Sequence, residues 1–177
     1  VCGLIYNKVY KLNCTFFCKE DEMMKEIERV RSYLQEKNPR LQIIELDQNT
    51  STAPLAAQAL GLEVGQIAKS ILFKTKGDDY LMVVSAGDVK MDSKAIKETV
   101  GQRVRMANPE EVLNVTGFSI GGVCPFALAN EVPIYLDESL LRYDVVYAAA
   151  GTANTALPIT YQELQEITGG QPCKFSL

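Results

Sequence analysis

A pair of glycines and a lysine are the residues of this sequence best suited to chemistry. Gly121-Gly122-Val123-Cys124-Pro125-Phe126 sets two adjacent glycines before a proline. Adjacent glycines let backbone approach a ligand closely, and their N–H groups can converge on one developing oxyanion. Pro125 stiffens the exit from such a loop. Taken alone, the pattern reads first as a tight structural turn. Lys69 lies inside the apolar run Ile67-Ala68-Lys69-Ser70-Ile71-Leu72-Phe73. On an alternating strand it shares a face with Ile67 and Ile71, and lysine is seldom fully buried without a partner. Its amine either enters a pocket, where it could meet phosphate, or guards an edge strand. Ala149-Ala150-Gly151-Thr152-Ala153-Asn154-Thr155 is a run of mostly small residues that leaves room for a ligand or makes a plain turn.

The chain has no His and no Trp. Ser-His-Asp and Cys-His nucleophiles, His-ligated zinc and a His general base are therefore excluded. Catalysis near neutral pH must use carboxylate, lysine, thiol, hydroxyl, backbone or the substrate itself. Cys124 is a nucleophile only if something other than His activates it, because a thiol near its ordinary pKa of ~8.5 is mostly protonated at neutral pH.

Composition sets the frame for these residues. The 177 residues are 47% hydrophobic and 23% charged, a globular composition of a length that suits one domain. Net charge is −4, which argues against a general nucleic-acid binder and against a DNA partner. The charge is uneven: residues 69–105 carry net +3, and residues 106–177 carry net −6. A basic middle in an acidic chain suits a small phosphate contact, or is solvated charge on helices and turns. Five cysteines without framework spacing suggest neither a disulfide scaffold nor a zinc site, and point to a reducing, cytoplasmic compartment. No stretch reaches the ~18–20 apolar residues of a membrane span, so no membrane partner is expected.

The elements that must hold the candidates are marked by periodicity and caps. Met24, Ile27, Val30 and Leu34 predict a helix over 23–37, ended by Asn38-Pro39. Leu41 to Leu46 reads as a strand, and Ala53 to Leu60 as a small-residue helix stopped by Gly61. Ile67 to Thr75 and Tyr80 to Ser85 form a hairpin. Asp92 caps a helix through Thr99, Arg103 to Met106 is a strand, and Asn108-Pro109-Glu110-Glu111 opens another helix. Strands are expected at Val132 to Leu136 and Val145 to Ala149, around a short helix near Asp137 to Leu141. Thr160-x-x-Glu163 is a capping box for a last helix, with a terminal strand near Lys174 to Leu177. Interspersed strands and helices with a hairpin give an α+β fold with a mixed sheet in one domain. Val1 to Glu22 looks foreign to the rest of the chain. Lys19-Glu20-Asp21-Glu22 can be encoded by a purine run such as precedes a start codon, so residues 1–22 are expected to be an upstream extension and residues 23–177 the domain.

Several of these pieces occur together and in order. Ala56-Ala57-x-Ala59-Leu60-Gly61 precedes Gln66-Ile67-Ala68-Lys69-Ser70, then Val84-Ser85-Ala86-Gly87-Asp88 and Met91-Asp92. Gly117 to Phe126, Val132-Pro133-Ile134-Tyr135-Leu136-Asp137 and Ala149 to Asn154 complete the set. Over about Met23 to Gly170 the chain resembles the YbaK/prolyl-tRNA-synthetase-associated editing domain family. The resemblance implies a compact single domain with a mixed, curved, barrel-like sheet surrounded by helices. It implies a free-standing deacylase that hydrolyses the ester of mischarged tRNA, commonly tRNA(Pro) carrying a small wrong amino acid, without metal or organic cofactor. By the same resemblance, Lys69 binds phosphate at the terminal adenosine. Gly121 and Pro125, with Gly122 between, position the ester carbonyl, and Phe126 adjoins them. Gly151 and Thr152 close the acceptor pocket, and Asp137 matches a family position with either a capping or a functional role. The tRNA acceptor end is the implied partner, with prolyl-tRNA synthetase as a recruiter. Ala149 and Ala156 stand where members specialised for cysteinyl-tRNA carry Ser and Asp. Two other readings remain open at this point: a non-catalytic module binding aminoacyl-tRNA or nucleotide, and a thiol hydrolase using Cys124.

Overall fold

The computed structural model describes residues 25–177. The expected extension, residues 1–22, lies outside the described residues, as do Cys2, Cys14 and Cys18.

Helix ends follow their local signals closely. α1 runs through residues 25–37, with Ile27, Val30 and Leu34 buried along one face. α2 (Ala53–Leu60) starts at Thr52, whose hydroxyl accepts from Leu55 N, and stops at a left-handed Gly61. α3 (Ser93–Val100) is capped by Asp92. α4 (Pro109–Thr116) and α5 (Tyr161–Thr168) both open with capping boxes, Asn108 with Glu111 and Thr160 with Glu163. Each box satisfies amide groups that the first helical turn otherwise leaves unpaired.

The strands are β1 (Ile44–Glu45), β2 (Ile67–Thr75), β3 (Tyr80–Ala86), β4 (Val104–Met106), β5 (Ile134–Asp137), β6 (Val146–Ala148), β7 (Thr155–Ile159) and β8 (Gln171–Cys173). They form one mixed sheet in the order β1-β7-β6-β2-β3-β5-β8, with β4 on β2. This α+β architecture is the expected one. The sheet is not closed, since β1 and β8 each end the path.

β2 is the backbone of the site. Its inner edge pairs with β3 antiparallel, from Ala68↔Ala86 to Lys74↔Tyr80. Its outer edge pairs with β6 only at Ile67 and Ala68, and with β4 only at Phe73 to Thr75. Residues 69–71 therefore face a gap between β6 and β4. Leu72 O accepts from Ala107 N at 2.9 Å, so Ser70, two residues earlier on the same edge, aims its own N–H and C=O into that gap.

The two faces of β2 bury different things. Ala68 and Leu72 share one face, where Ala68 joins Met82, Val84, Val30, Leu34, Phe118 and Phe126 in the main core. Phe118 and Phe126 are fully buried, each worth about 1.5–3 kcal/mol in transfer free energy. On the opposite face, Ile67 packs on α2 and Phe73 packs with Ile96 of α3 and Phe175. Lys69 sits on that face between the two apolar clusters.

Two strands differ from the sequence reading. β7 carries no local signal; the segment 151–155 reads as a turn and Pro158 discourages a strand. Pro158 is accommodated opposite Tyr147 in an antiparallel strand of five residues. The last strand forms at Gln171–Cys173 beside β5, not at Lys174 to Leu177, where Ser176 makes a single bridge to Met91.

Candidate functional site

A cavity of about 220 Å³ opens at the gap beside β2. Lys69 and Ser70 form its floor, α2 contributes Ala53 and Ala56, and the loop after α4 contributes Ile120, Gly121 and Val123. Ala149, just after β6, and Ala156 of β7 complete the wall. The structure thus brings Lys69 and Gly121 together although 52 positions separate them.

Lys69 is half-buried, and its Nζ donates to Val89 O at 3.0 Å. Burial lowers its pKa from the ordinary lysine value, because a charged amine loses hydration there; the Asp88 carboxylate opposes that shift. Asp88 itself is held by a two-point ion pair with Arg142. Ser70 Oγ is buried without a hydrogen-bond partner.

The glycine loop separates this cavity from a second one of about 460 Å³. Ile120 lines both. Gly122, Gly151 and Thr152 line the second, with Asp47, Gln48 and Asn154. Gly121 adopts φ of 99°, a left-handed conformation open to glycine. Gly122 is required for a different reason. A Cβ there would overlap the Gly151 carbonyl and lie 2.7 Å from Thr152 Cα. The two loops are also tied by Gly151 N donating to Gly122 O at 3.1 Å. Gly122 N already donates to Ser119 O at 3.0 Å, whereas Gly121 N has no hydrogen bond among the described residues. Of the two amides, Gly121 is the one left to meet a ligand.

Thr155 shapes the small-residue loop, a role that its place at the end of that run does not disclose. Its Oγ1 donates to Thr152 O at 2.9 Å and accepts from Ala150 N at 3.1 Å. Ser70 is likewise a wall residue that sequence reasoning misses, since its exposure depends on where β6 and β4 stop.

The remaining candidates lie elsewhere. Pro125 and Phe126 are buried and line neither cavity; Phe126 belongs to the main core. Asp137 is fully buried and holds the carboxyl-terminal segment. Its carboxylate accepts from Ser139 N at 2.9 Å, Phe175 N at 2.6 Å and Ser176 N at 3.0 Å. Burial pushes its pKa up, but the hydrogen bonds from Ser139, Phe175 and Ser176 outweigh that and hold it below the ordinary value. Cys124 is fully buried beside the main core, and burial pushes its thiol up to about 12. A thiol so placed is inert. Among the described residues no helix is long and apolar enough to cross a membrane.

Known proteins resemble this chain in sequence and fold. The aminoacyl-tRNA editing domain model matches residues 47–167. The uncharacterized protein YwhH of Bacillus subtilis is 39% identical over 142 residues, covering 80% of this chain and 90% of YwhH. EbsC of Enterococcus faecalis, a proposed Cys-tRNA(Pro)/Cys-tRNA(Cys) deacylase, is 25% identical across 68% of this chain and 74% of its own length. The proline–tRNA ligase of Thermosipho melanesiensis is 31% identical over 71% of this chain, which spans only 24% of that ligase. A crystal structure of a proposed trans-editing enzyme for prolyl-tRNA synthetase superposes with a TM-score of 0.80 at 38% identity, covering 86% of this chain and 97% of that one. About two thirds of the sequence thus follows one family pattern, and its fold follows the same family in space; the chain belongs to the aminoacyl-tRNA editing domain family and is, by class, an aminoacyl-tRNA deacylase.

Proposed function

We propose that this protein hydrolyses the ester of tRNA(Pro) carrying a small non-cognate amino acid, acting in trans after release from prolyl-tRNA synthetase. The observation that carries the reading is the convergence of Lys69 and Gly121 on one cavity, part of whose wall is alanine methyls. Lys69 anchors the backbone phosphate at the terminal adenosine and fixes the ester's orientation. Gly121 N–H faces the carbonyl oxygen as negative charge develops there, a contribution of about 3–4 kcal/mol for a well-placed donor. Gly122, Gly151 and Thr152 keep the loop in place. Pro125 and Phe126 fix its exit by packing, and Asp137 acts through the fold. The attacking group is water, or a hydroxyl of the substrate, and the substrate's 2′-OH or α-amine moves the proton. An aminoacyl ester is already activated, so no strong protein nucleophile is needed.

A cavity of this size admits small side chains, and pocket size alone discriminates poorly among them. That is the error a proline site makes and a second site removes. The names of EbsC and of the prolyl-tRNA-synthetase relatives support tRNA(Pro) as the substrate and the synthetase as a recruiter. We assign the editing unit to residues 23–177 and its workplace to the cytoplasm.

The test is a deacylation panel. tRNA(Pro) charged separately with Ala, Cys, Ser, Thr and Pro is offered to wild type and to Lys69→Ala. Lys69-dependent loss of one or two non-cognate amino acids, with Pro spared, is expected. Absence of turnover on all five, or full activity of Lys69→Ala, sinks this reading.

A further inference from the structure

The segment between Val89 and Met106 leaves the cavity and comes back to it. Val89 O holds the Lys69 amine at one end, and Met106 and Ala107 line the cavity at the other. Between them lie α3 and β4, which pack on each other. This excursion carries Lys90, Lys94, Lys97, Arg103 and Arg105 against only Asp92 and Glu98.

The charges differ in how far they are committed. Arg105 is bound to both oxygens of Glu111, and Asp92 accepts from Lys94 N as the cap of α3. Lys90, Lys94, Lys97 and Arg103 are exposed, and their side chains have no hydrogen-bond or ion-pair partner among the described residues. Lys76, also exposed and unpaired, lies beside Arg103, with its N–H donating to Arg103 O at 3.1 Å. The other side of the glycine loop carries the acidic Asp47 at the second cavity. In a chain of net charge −4 this is a one-sided arrangement.

We infer that the α3–β4 excursion, through Lys90, Lys94, Lys97 and Arg103, is a docking surface for the phosphate backbone of a double-stranded RNA stem whose unpaired 3′ end enters the Lys69 cavity. The inference rests on the deacylase reading for what lies at that 3′ end, and adds the direction from which the stem approaches. Charge complementarity selects RNA as the occupant, and continuity with Lys69 selects its orientation. Phosphates leaving Lys69 meet Lys90 and then α3, while Asp47 disfavours a stem on the far side. Contacts of this kind are read through salt, since each neutralised phosphate releases counterion.

The experiment compares wild type with the variant Lys90→Gln, Lys94→Gln, Lys97→Gln and Arg103→Gln. Binding of an uncharged RNA hairpin with a single-stranded 3′ end is followed by fluorescence anisotropy across salt concentrations. The log–log salt slope is expected to fall by about 3 in the variant, from four lost phosphate contacts. KM for mischarged tRNA is expected to rise at least tenfold more than KM for a small aminoacyl-adenosine ester. A second variant, with Lys→Arg at the three lysines and Arg103→Lys, is expected to bind the hairpin as wild type does. An unchanged slope, or equal loss on tRNA and on the small ester, or failure of the charge-conserving variant to bind, overturns the surface. Hairpin binding requires no turnover. A wild type that binds it with the full slope yet hydrolyses no mischarged tRNA therefore upholds the surface and condemns the tRNA(Pro) deacylase reading instead.

Discussion

Lys69 and Cys124 are both reactive groups drawn into the protein, and they come to opposite ends. Lys69 is half-buried on the rim of a cavity, tied by one hydrogen bond to a carbonyl. Cys124 is fully buried, its Sγ directed to Phe126 O at 3.7 Å. Burial shifts both toward the neutral form: Lys69 loses its proton at lower pH, and Cys124 gives up its proton only near pH 12. For the lysine, an opposing carboxylate and an open side keep the charge available. For the thiol, no open side exists. Access, more than intrinsic reactivity, separates the group that can meet a ligand from the packed one.

The sharpest way to break this comparison is to pry apart the two loops that meet at Gly122 and Gly151. Gly122→Val drives a side chain into the Gly151 carbonyl, and is expected to cost about 3 kcal/mol and to abolish deacylation; a thermal melt and a turnover assay check both. Lys69→Ala should lower kcat/KM about ten- to hundredfold, the value of a charge-assisted contact of about 1.5–3 kcal/mol, with little change in melting temperature. Asp137→Ala is expected to do the reverse. It leaves the Phe175 and Ser176 amides unpaired, costing about 2–4 kcal/mol, while kcat holds in the folded fraction. Because the Asp137 pKa is lowered on folding, its stabilisation is present above about pH 4, the free carboxylate value. It is lost as pH falls through the lowered folded value. The gap between wild type and Asp137→Ala in denaturant melts should therefore close in acid. Cys124→Ala is expected to cost only about 1–2 kcal/mol as a small core truncation and to leave turnover unchanged; loss of turnover would revive a thiol mechanism. The smallest effect is in the pH profile. Phosphate binding needs the protonated amine, so activity should decline on the alkaline side at a pH below ~10.4, the free lysine value, as pH rises through the lowered Lys69 pKa.

What the sequence discloses depends on how local the cause is. Thr52 with Gly61, Asp92 with Gly101 and Asn108 with Gly117 bound their helices through contacts within a few residues, and each is legible. β7 is not, because its outer partner β1 comes from distant chain, the small-residue run before it reads as a plain turn, and Pro158 argues against it. The same holds at the site. Lys69 stands out as a charge in an apolar run. Ser70 does not, since only the spacing between β6 and β4 gives it access. Phe126 and Asp137 share a motif with the loop or the strand end, yet side-chain direction places one in the core and the other under the carboxyl-terminal segment.

The wall of the Lys69 cavity also decides how this protein can change its diet. Ala53, Ala56, Ala149, Ala156 and Gly121 have no χ angles to turn. That stretch of the wall works as a fixed gauge, while Ile120, Val123 and Met106 around it keep rotamers to turn. New preferences along that stretch arrive one heavy atom at a time, by Ala149→Ser or Ala156→Ser for instance. Each such step carries about 1–3 kcal/mol of discrimination, the worth of a single methylene. Divergence among proteins built on this wall would thus proceed in discrete notches, without any shift of the backbone that holds it.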